Sequence, residues 1–149
     1  LVKVLDYLLP EGDLFRSVDY AGREEVDTSD ASCVELPMAV LVNEDSYSAA
    51  EFFAAALQEY EWATIVGSQT YGKGNFQTSF QLTDGSLINI SIGKYYTPSG
   101  RSLSETGVTP DIAVDITDED YELLYYNELA PEDDAQLQAA LDAVRAKIS

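Results

Sequence analysis

Ser48 lies across a short polar interval from the apolar run Met38-Ala39-Val40-Leu41-Val42 and directly before the helix-forming run that begins Ala49-Ala50-Glu51. A serine at such a strand-to-helix junction can serve two chemistries. It can close a capping box, its hydroxyl accepting a backbone N–H while Glu51, three residues on, reaches back. Or it can act as a nucleophile, with the unpaired N–H groups of the first helical turn, starting at Ala49, holding the oxyanion that forms when it attacks a carbonyl. Ser46 competes for either role. A nucleophilic serine needs a base, and the chain has no His, which removes the Ser-His-Asp arrangement and the common zinc sites together. Cys33 is the single cysteine, so neither an internal disulfide nor a thiolate metal cluster is available.

The remaining bases are Lys73, Lys94 and the carboxylates. Lys73 sits in Tyr71-Gly72-Lys73-Gly74-Asn75, where paired glycines let the backbone turn tightly and pass close to other atoms. This is no phosphate loop, because no Gly-Lys-Ser/Thr follows at the required spacing. It is no dinucleotide fingerprint either, because Gln77 stands at the last glycine position. A lysine base must be largely neutral near pH 7, which asks for about 4–5 kcal/mol of differential destabilisation of an ammonium that ordinarily titrates near ~10.4. Tyr71 and Phe76 are the apolar neighbours expected to supply the cover.

The elements that must position these groups read as α/β. Leu1, Val4, Leu5 and Leu8 share a helical face that Pro10-Glu11-Gly12 ends. A hairpin is expected to turn at Ala21-Gly22, with loop-like composition over 27–32. The Met38–Val42 run reads as a strand buried on both faces, 49–60 as a helix and 64–66 as a second buried strand closed by Gly67. That succession is a βαβ unit with parallel strands. Residues 76–82 alternate as a half-buried strand, Asp84-Gly85 signals a two-residue hairpin, and 87–92 returns. A short strand over 112–114 follows the Thr109-Pro110-Asp111 turn. The C-terminal segment predicts a helix with Pro131 at its first position, acids after it, and an apolar stripe of Leu137, Leu141, Val144 and Ile148. Two parts are expected, 1–114 carrying the chemistry and 115–149 forming an acidic helical extension.

Composition sets the outer limits. The 149 residues are 46% hydrophobic, enough for one self-supporting core without staples. A net charge of −19 opposes nucleic acid and anionic membranes as partners. Between Trp62 and Ser104 the ionised residues are only Lys73, Asp84, Lys94 and Arg101, so the acids lie elsewhere, as a solvated face, and this near-neutral stretch could receive an anionic group. No apolar run approaches the ~20 residues of a bilayer span. The chain opens at Leu1 inside a helical pattern, as expected of a piece of a longer polypeptide.

Taken in order, Val42-Asn43-Glu44-Asp45-Ser46-Tyr47-Ser48-Ala49-Ala50-Glu51, Ile65-Val66-Gly67, Thr70-Tyr71-Gly72-Lys73-Gly74-Asn75-Phe76-Gln77-Thr78, Asp84-Gly85-Ser86, Tyr95-Tyr96-Thr97-Pro98-Ser99-Gly100-Arg101-Ser102 and Gly107-Val108-Thr109-Pro110-Asp111 resemble the carboxyl-terminal processing peptidases, or tail-specific proteases, over residues 1–114. The resemblance implies a ClpP/crotonase-like core with βαβ units, a β-hairpin and a C-terminal helix. It also implies a catalytic dyad of a serine and a lysine 25 positions apart, as Ser48 and Lys73 are, a lysine-orienting glutamine at Gln77 and an oxyanion-binding amide at Ala49. No metal and no organic cofactor is implied. The implied partner is a polypeptide substrate, and the implied parent protein carries a PDZ-like module and is exported (extracellular, periplasmic or membrane-anchored).

The sequence departs from the family at several points. Glu44-Asp45 replaces Gly-Gly, Tyr47 replaces Ala, and Ala50 stands where Ser is frequent, which gives Ser48 a bulkier, negative rim. The family's upstream Asn-Pro-Gly-Gly segment, source of a second oxyanion donor, is not in this chain. Losing one such donor typically costs ~10²–10³ in rate, so weak activity is expected of these residues alone. Two other readings stay open: a non-catalytic peptide- or ligand-binding module of the same fold, and a crotonase-like acyl-CoA enzyme, which lacks a basic patch for the cofactor's phosphates. Association through 115–149, as a homo-oligomer, is open as well.

Overall fold

The computed structural model describes residues 1–148. Its elements are α1 (Val2–Leu8), β1 (Gly12–Asp19), β2 (Glu24–Ser29), β3 (Met38–Val42), α2 (Ala49–Glu59), β4 (Ala63–Gly67), β5 (Asn75–Gln81), β6 (Leu87–Tyr96), β7 (Ile112–Ala113), α3 (Asp118–Tyr125) and α4 (Ala135–Ile148). The α/β expectation holds. β3 and β4 pair in parallel from Met38↔Ala63 to Val42↔Gly67, with α2 as the crossover, and β7 continues the sheet from β4. An antiparallel sheet of order β2-β1-β6-β5 lies beside it. Both α2 and α4 pack on β3 and β4, and α1 packs on β1 and β2.

The core forms where α2 meets both sheets. Phe52, Ala54, Ala55, Ala56 and Leu57 of α2 are buried with Leu5, Leu9, Leu14 and Ile65. Small residues on α2 let the helix lie close to the strands, while Phe52 fills the junction. Its ring meets Phe15 of β1 at 5.0 Å and Tyr95 of β6 at 5.7 Å between centroids. This aromatic triangle ties the antiparallel sheet to the first turns of α2.

Several local expectations are corrected. β3 is an edge strand with Leu41 exposed, so its continuous apolar run does not mean burial on both faces. Of the predicted α1 face Leu5 is buried and Leu8 packs on the core, together with Val2 and with Leu9 just past the helix, while Leu1 and Val4 face outward. The loop expected over 27–32 is partly strand, since β2 runs to Ser29 opposite Gly12. The β5–β6 connection is Thr83-Asp84-Gly85 rather than Asp84-Gly85 alone. Leu82 N–H donates to the Ser86 carbonyl at 2.8 Å, Gly85 takes φ +87°, and Asp84 accepts from both the N–H and hydroxyl of Ser86, which is the form of a three-residue hairpin with a glycine bulge. The arm also reaches past the core, leaving Phe80, Ile88 and Ile90 43–46% exposed.

α4 begins at Ala135, not Pro131. Asp134 accepts the Leu137 N–H at 2.9 Å, a capping bond that no residue nearer Pro131 makes. Its buried positions are Gln136 and Ala140, whereas Leu141 and Ile148 are exposed. Gln136 donates to the Val114 carbonyl at 2.7 Å, a polar anchor that turns the helix away from its apolar stripe.

Candidate active site

Ser48 takes φ 57° and ψ −119° in the turn from β3 into α2. A non-glycine residue held there stores roughly 1–3 kcal/mol of backbone strain. Its carbonyl accepts the Phe52 N–H at 2.8 Å, starting the helix, yet its hydroxyl makes no capping bond. The first-turn N–H groups, Ala49 among them, have no partner within the helix. Ser46 is spent on the loop: its oxygen accepts the Asn43 N–H at 3.1 Å and its hydroxyl lies 3.3 Å from the Asn43 side-chain oxygen.

The capping box is not formed because Glu51 is used elsewhere. It is fully buried. One carboxyl oxygen accepts the Gly72 N–H at 2.7 Å and the Thr70 hydroxyl, and the other accepts the Lys73 N–H at 3.0 Å. Thr70 in turn accepts the Val108 N–H at 2.7 Å. Three donors on one loop satisfy a buried carboxyl better than the single N–H of Ser48 could. The loop carrying Lys73 is thereby gripped by the helix turn that presents Ser48.

That loop is clamped from its other side as well. Glu105 N–H donates to the Gly72 carbonyl at 2.9 Å, Tyr95 N–H to the Gly74 carbonyl at 3.1 Å, and the Tyr95 hydroxyl to the Lys73 carbonyl. The paired glycines are required by contact. A Cβ on Gly74 would lie 2.3 Å from Ser104 Oγ and 2.7 Å from Ser104 N, and Gly72 holds φ +91° with the Glu105 backbone 3.1 Å from its Cβ position.

Lys73 is half-buried. Its Nζ stands 5.8 Å from the centroid of the Tyr47 ring. The cover differs in part from that expected: Tyr71 is exposed and rests edge-on against Tyr47 at 6.1 Å, while Phe76 packs on the core and walls the cavity that Lys73 lines. A bulky residue where the family has alanine thus faces the lysine.

Ser48, Ala49, Lys73 and Gln77 line one cavity of about 330 Å³, whose apolar walls include Phe15, Phe76 and Tyr95. All four residues singled out from the sequence therefore meet at one place. Gln77 is exposed and its amide nitrogen lies 3.4 Å from Ser91 Oγ. Lys94 is exposed on β6 opposite Asn75 and lines no part of this cavity. On the loop before Ser48, Glu44 accepts the Ser68 hydroxyl at 3.2 Å and Asp45 accepts that of Tyr121, and Glu44, Ser68 and Tyr121 line a second cavity rather than this one.

Sequence reasoning missed three contributors. Glu51 was read only as a capping partner. Asn75 also lines the cavity, and its buried side-chain oxygen has no hydrogen-bond partner. Tyr95 stands against Ser48, and burial pushes its phenol up to about 12, with the Ser48 hydroxyl pulling down and the Glu51 charge pushing up. Its place in the Tyr95-Tyr96-Thr97-Pro98 motif was the available signal.

The model of peptidase family S41 matches residues 1–114. A carboxyl-terminal-processing protease of Synechocystis sp. is 37% identical over 135 residues, covering 90% of this chain and 30% of its own length. A carboxy-terminal-processing protease of Bartonella bacilliformis is 39% identical over 120 residues, covering 76% of this chain and 27% of its own. Among solved structures, a photosystem II D1 C-terminal processing protease matches with a TM-score of 0.69 and 35% identity, over 76% of this chain and 30% of that one. The chain thus spans about 30% of the length of these relatives. By the extent of the family match and by relatives this similar over most of its residues, the chain belongs to peptidase family S41.

Proposed function

We propose that this chain carries the Ser-Lys part of a serine endopeptidase site that cleaves protein C-terminal tails or unfolded polypeptides. The observation that carries the reading is the strained Ser48 backbone with its uncapped hydroxyl, opening on the cavity that Lys73 also lines. The Lys73 amine takes the Ser48 proton as Oγ bonds to the scissile carbonyl carbon. The Ala49 N–H holds the oxyanion, joined by an upstream glycine N–H of the kind the family supplies. As the tetrahedral intermediate collapses, the C–N bond breaks and the lysine returns its proton to the leaving amine. Water then hydrolyses the acyl ester by the same base. Gln77 orients Lys73 once its amide turns from Ser91 into the cavity.

With one oxyanion donor present, these 149 residues alone are weakly active, by roughly 10²–10³. The relatives, proteases named for processing carboxyl termini, support the substrate class. The test is fluorophosphonate labelling and peptide cleavage by the full-length protein. Ser48→Ala abolishes both, and Lys73→Ala lowers both by orders of magnitude. Undiminished cleavage in both variants refutes the dyad. The pH profile is a second check, since the rate rises as a lysine base deprotonates.

A further inference from the structure

Tyr95, next to last in β6, is 4% exposed and wedged between Phe15 and Phe52, with ring centroids 5.8 and 5.7 Å away. The core therefore fixes the ring, and the hydroxyl leaves it at the floor of the cavity. There the hydroxyl donates to the Lys73 carbonyl while the Tyr95 N–H donates to the Gly74 carbonyl at 3.1 Å. One residue so holds two successive carbonyls, those of Lys73 and Gly74, on the C-terminal side of Lys73 Cα. The phenol has one proton, and it is committed to the Lys73 carbonyl. Held up at about 12, the phenol stays protonated wherever a peptidase works. It is no base. It is a fixed post.

We propose that Tyr95 is a positioning residue of the Ser48–Lys73 pair: its core-fixed ring and its backbone hold the carbonyls of Lys73 and Gly74 and so set where the lysine leaves its loop into the cavity that Ser48 lines. The proposal rests on the dyad reading. In the reaction Tyr95 neither gains nor loses a proton. The Ser48 proton goes to the Lys73 amine as Oγ attacks. A lysine whose main chain is pinned beside the cavity reaches that geometry more often than one on a loose loop.

The experiment is Tyr95→Phe in the full-length protein, a change that keeps the ring and removes only the hydroxyl. The fluorophosphonate labelling rate of Ser48 and the kcat for a peptide fall about 10–100-fold, with KM within about twofold. Placing 4-aminophenylalanine at position 95 restores a donor and recovers most of the rate. A folded Tyr95→Phe protein with labelling and kcat within about twofold of wild type overturns the proposal. So does a loss of rate that only tracks the unfolded fraction in a thermal melt, or one the amino variant leaves unrepaired. Ser48→Ala separates the two claims: if it still cleaves, the dyad reading has failed, and if it is dead while Tyr95→Phe is unchanged, only the present inference falls.

Discussion

The buried carboxyl group of Glu51 accepts the backbone N–H of Lys73 at 3.0 Å, three residues beyond Ser48 on the first turn of α2. One helix turn therefore presents the serine and grips the loop that carries the lysine. Glu51→Gln leaves the size unchanged but replaces one acceptor by an NH₂ facing donors, so at least one of the Thr70, Gly72 and Lys73 donors goes unpaired in the interior. That costs about 1–3 kcal/mol and lowers the melting temperature by roughly 2–4 °C for each kcal/mol. Labelling of Ser48 falls too, although Glu51 does not line the cavity. Calorimetry and labelling at wild-type levels would show that the loop is held by something else.

A glycine beside Lys73 and another in the β5–β6 turn separate contact from conformation. Gly74→Ala drives a Cβ to 2.7 Å from the Ser104 backbone nitrogen, which cannot yield as a side-chain tip would, at a cost of about 1–3 kcal/mol. It moves the Lys73 loop with it, so activity drops. Gly85→Ala, at φ +87° with open space around it, pays only the left-handed penalty of about 1–2 kcal/mol and leaves activity intact. Equal losses of activity in the two variants would break the argument.

What was legible in the sequence follows from how local its cause is. The βαβ unit, the β5–β6 arm and the Gly72/Gly74 loop could be read because period, turn chemistry and glycine pairing are properties of neighbouring residues. The convergence of Ser48, Ala49, Lys73 and Gln77 came from the ordered motifs of the family resemblance, since spacing alone left Ser46 and Lys94 open. Glu51 was misread because a capping box is local while its true donors lie 19–22 positions on. Tyr95 and the packed face of α4 were hidden for the same reason. Both depend on partners from distant segments: Lys73 and Phe52 for the tyrosine, Val114 for Gln136. The edge position of β3 was invisible because an apolar run records composition, not how many neighbours a strand has.

Tyr95 also sets an alkaline limit on stability. Its phenol titrates at about 12 when folded against 10.0 for the free group. The unfolded chain thus releases this proton first, and the contribution is whole below pH 10 and lost as pH rises from 10 towards 12. The slope is at most about 1.4 kcal/mol per pH unit. Urea midpoints measured from pH 9 to 11 fall more steeply for wild type than for Tyr95→Phe. Parallel curves for the two proteins would contradict the burial of the phenol.

The acidic loop before Ser48 shapes selection among substrates. Glu44 and Asp45 are exposed on the loop leading to Ser48, and among the described residues neither pairs with a cation; their partners are the hydroxyls of Ser68 and Tyr121. Both charges therefore stand unneutralised four and three residues before Ser48. In the full-length protein, Glu44→Gln with Asp45→Asn raises kcat/KM for a peptide with acidic residues by about three- to tenfold at low salt. The gain shrinks in about 0.5 M salt, where the Debye length falls to a few ångströms, and a neutral peptide is cleaved as before. Tyr121→Phe, which frees Asp45 without discharging it, controls for the loosening of α3. If the double variant speeds acidic and neutral peptides alike, at every salt concentration, the loop acts by bulk and not by charge.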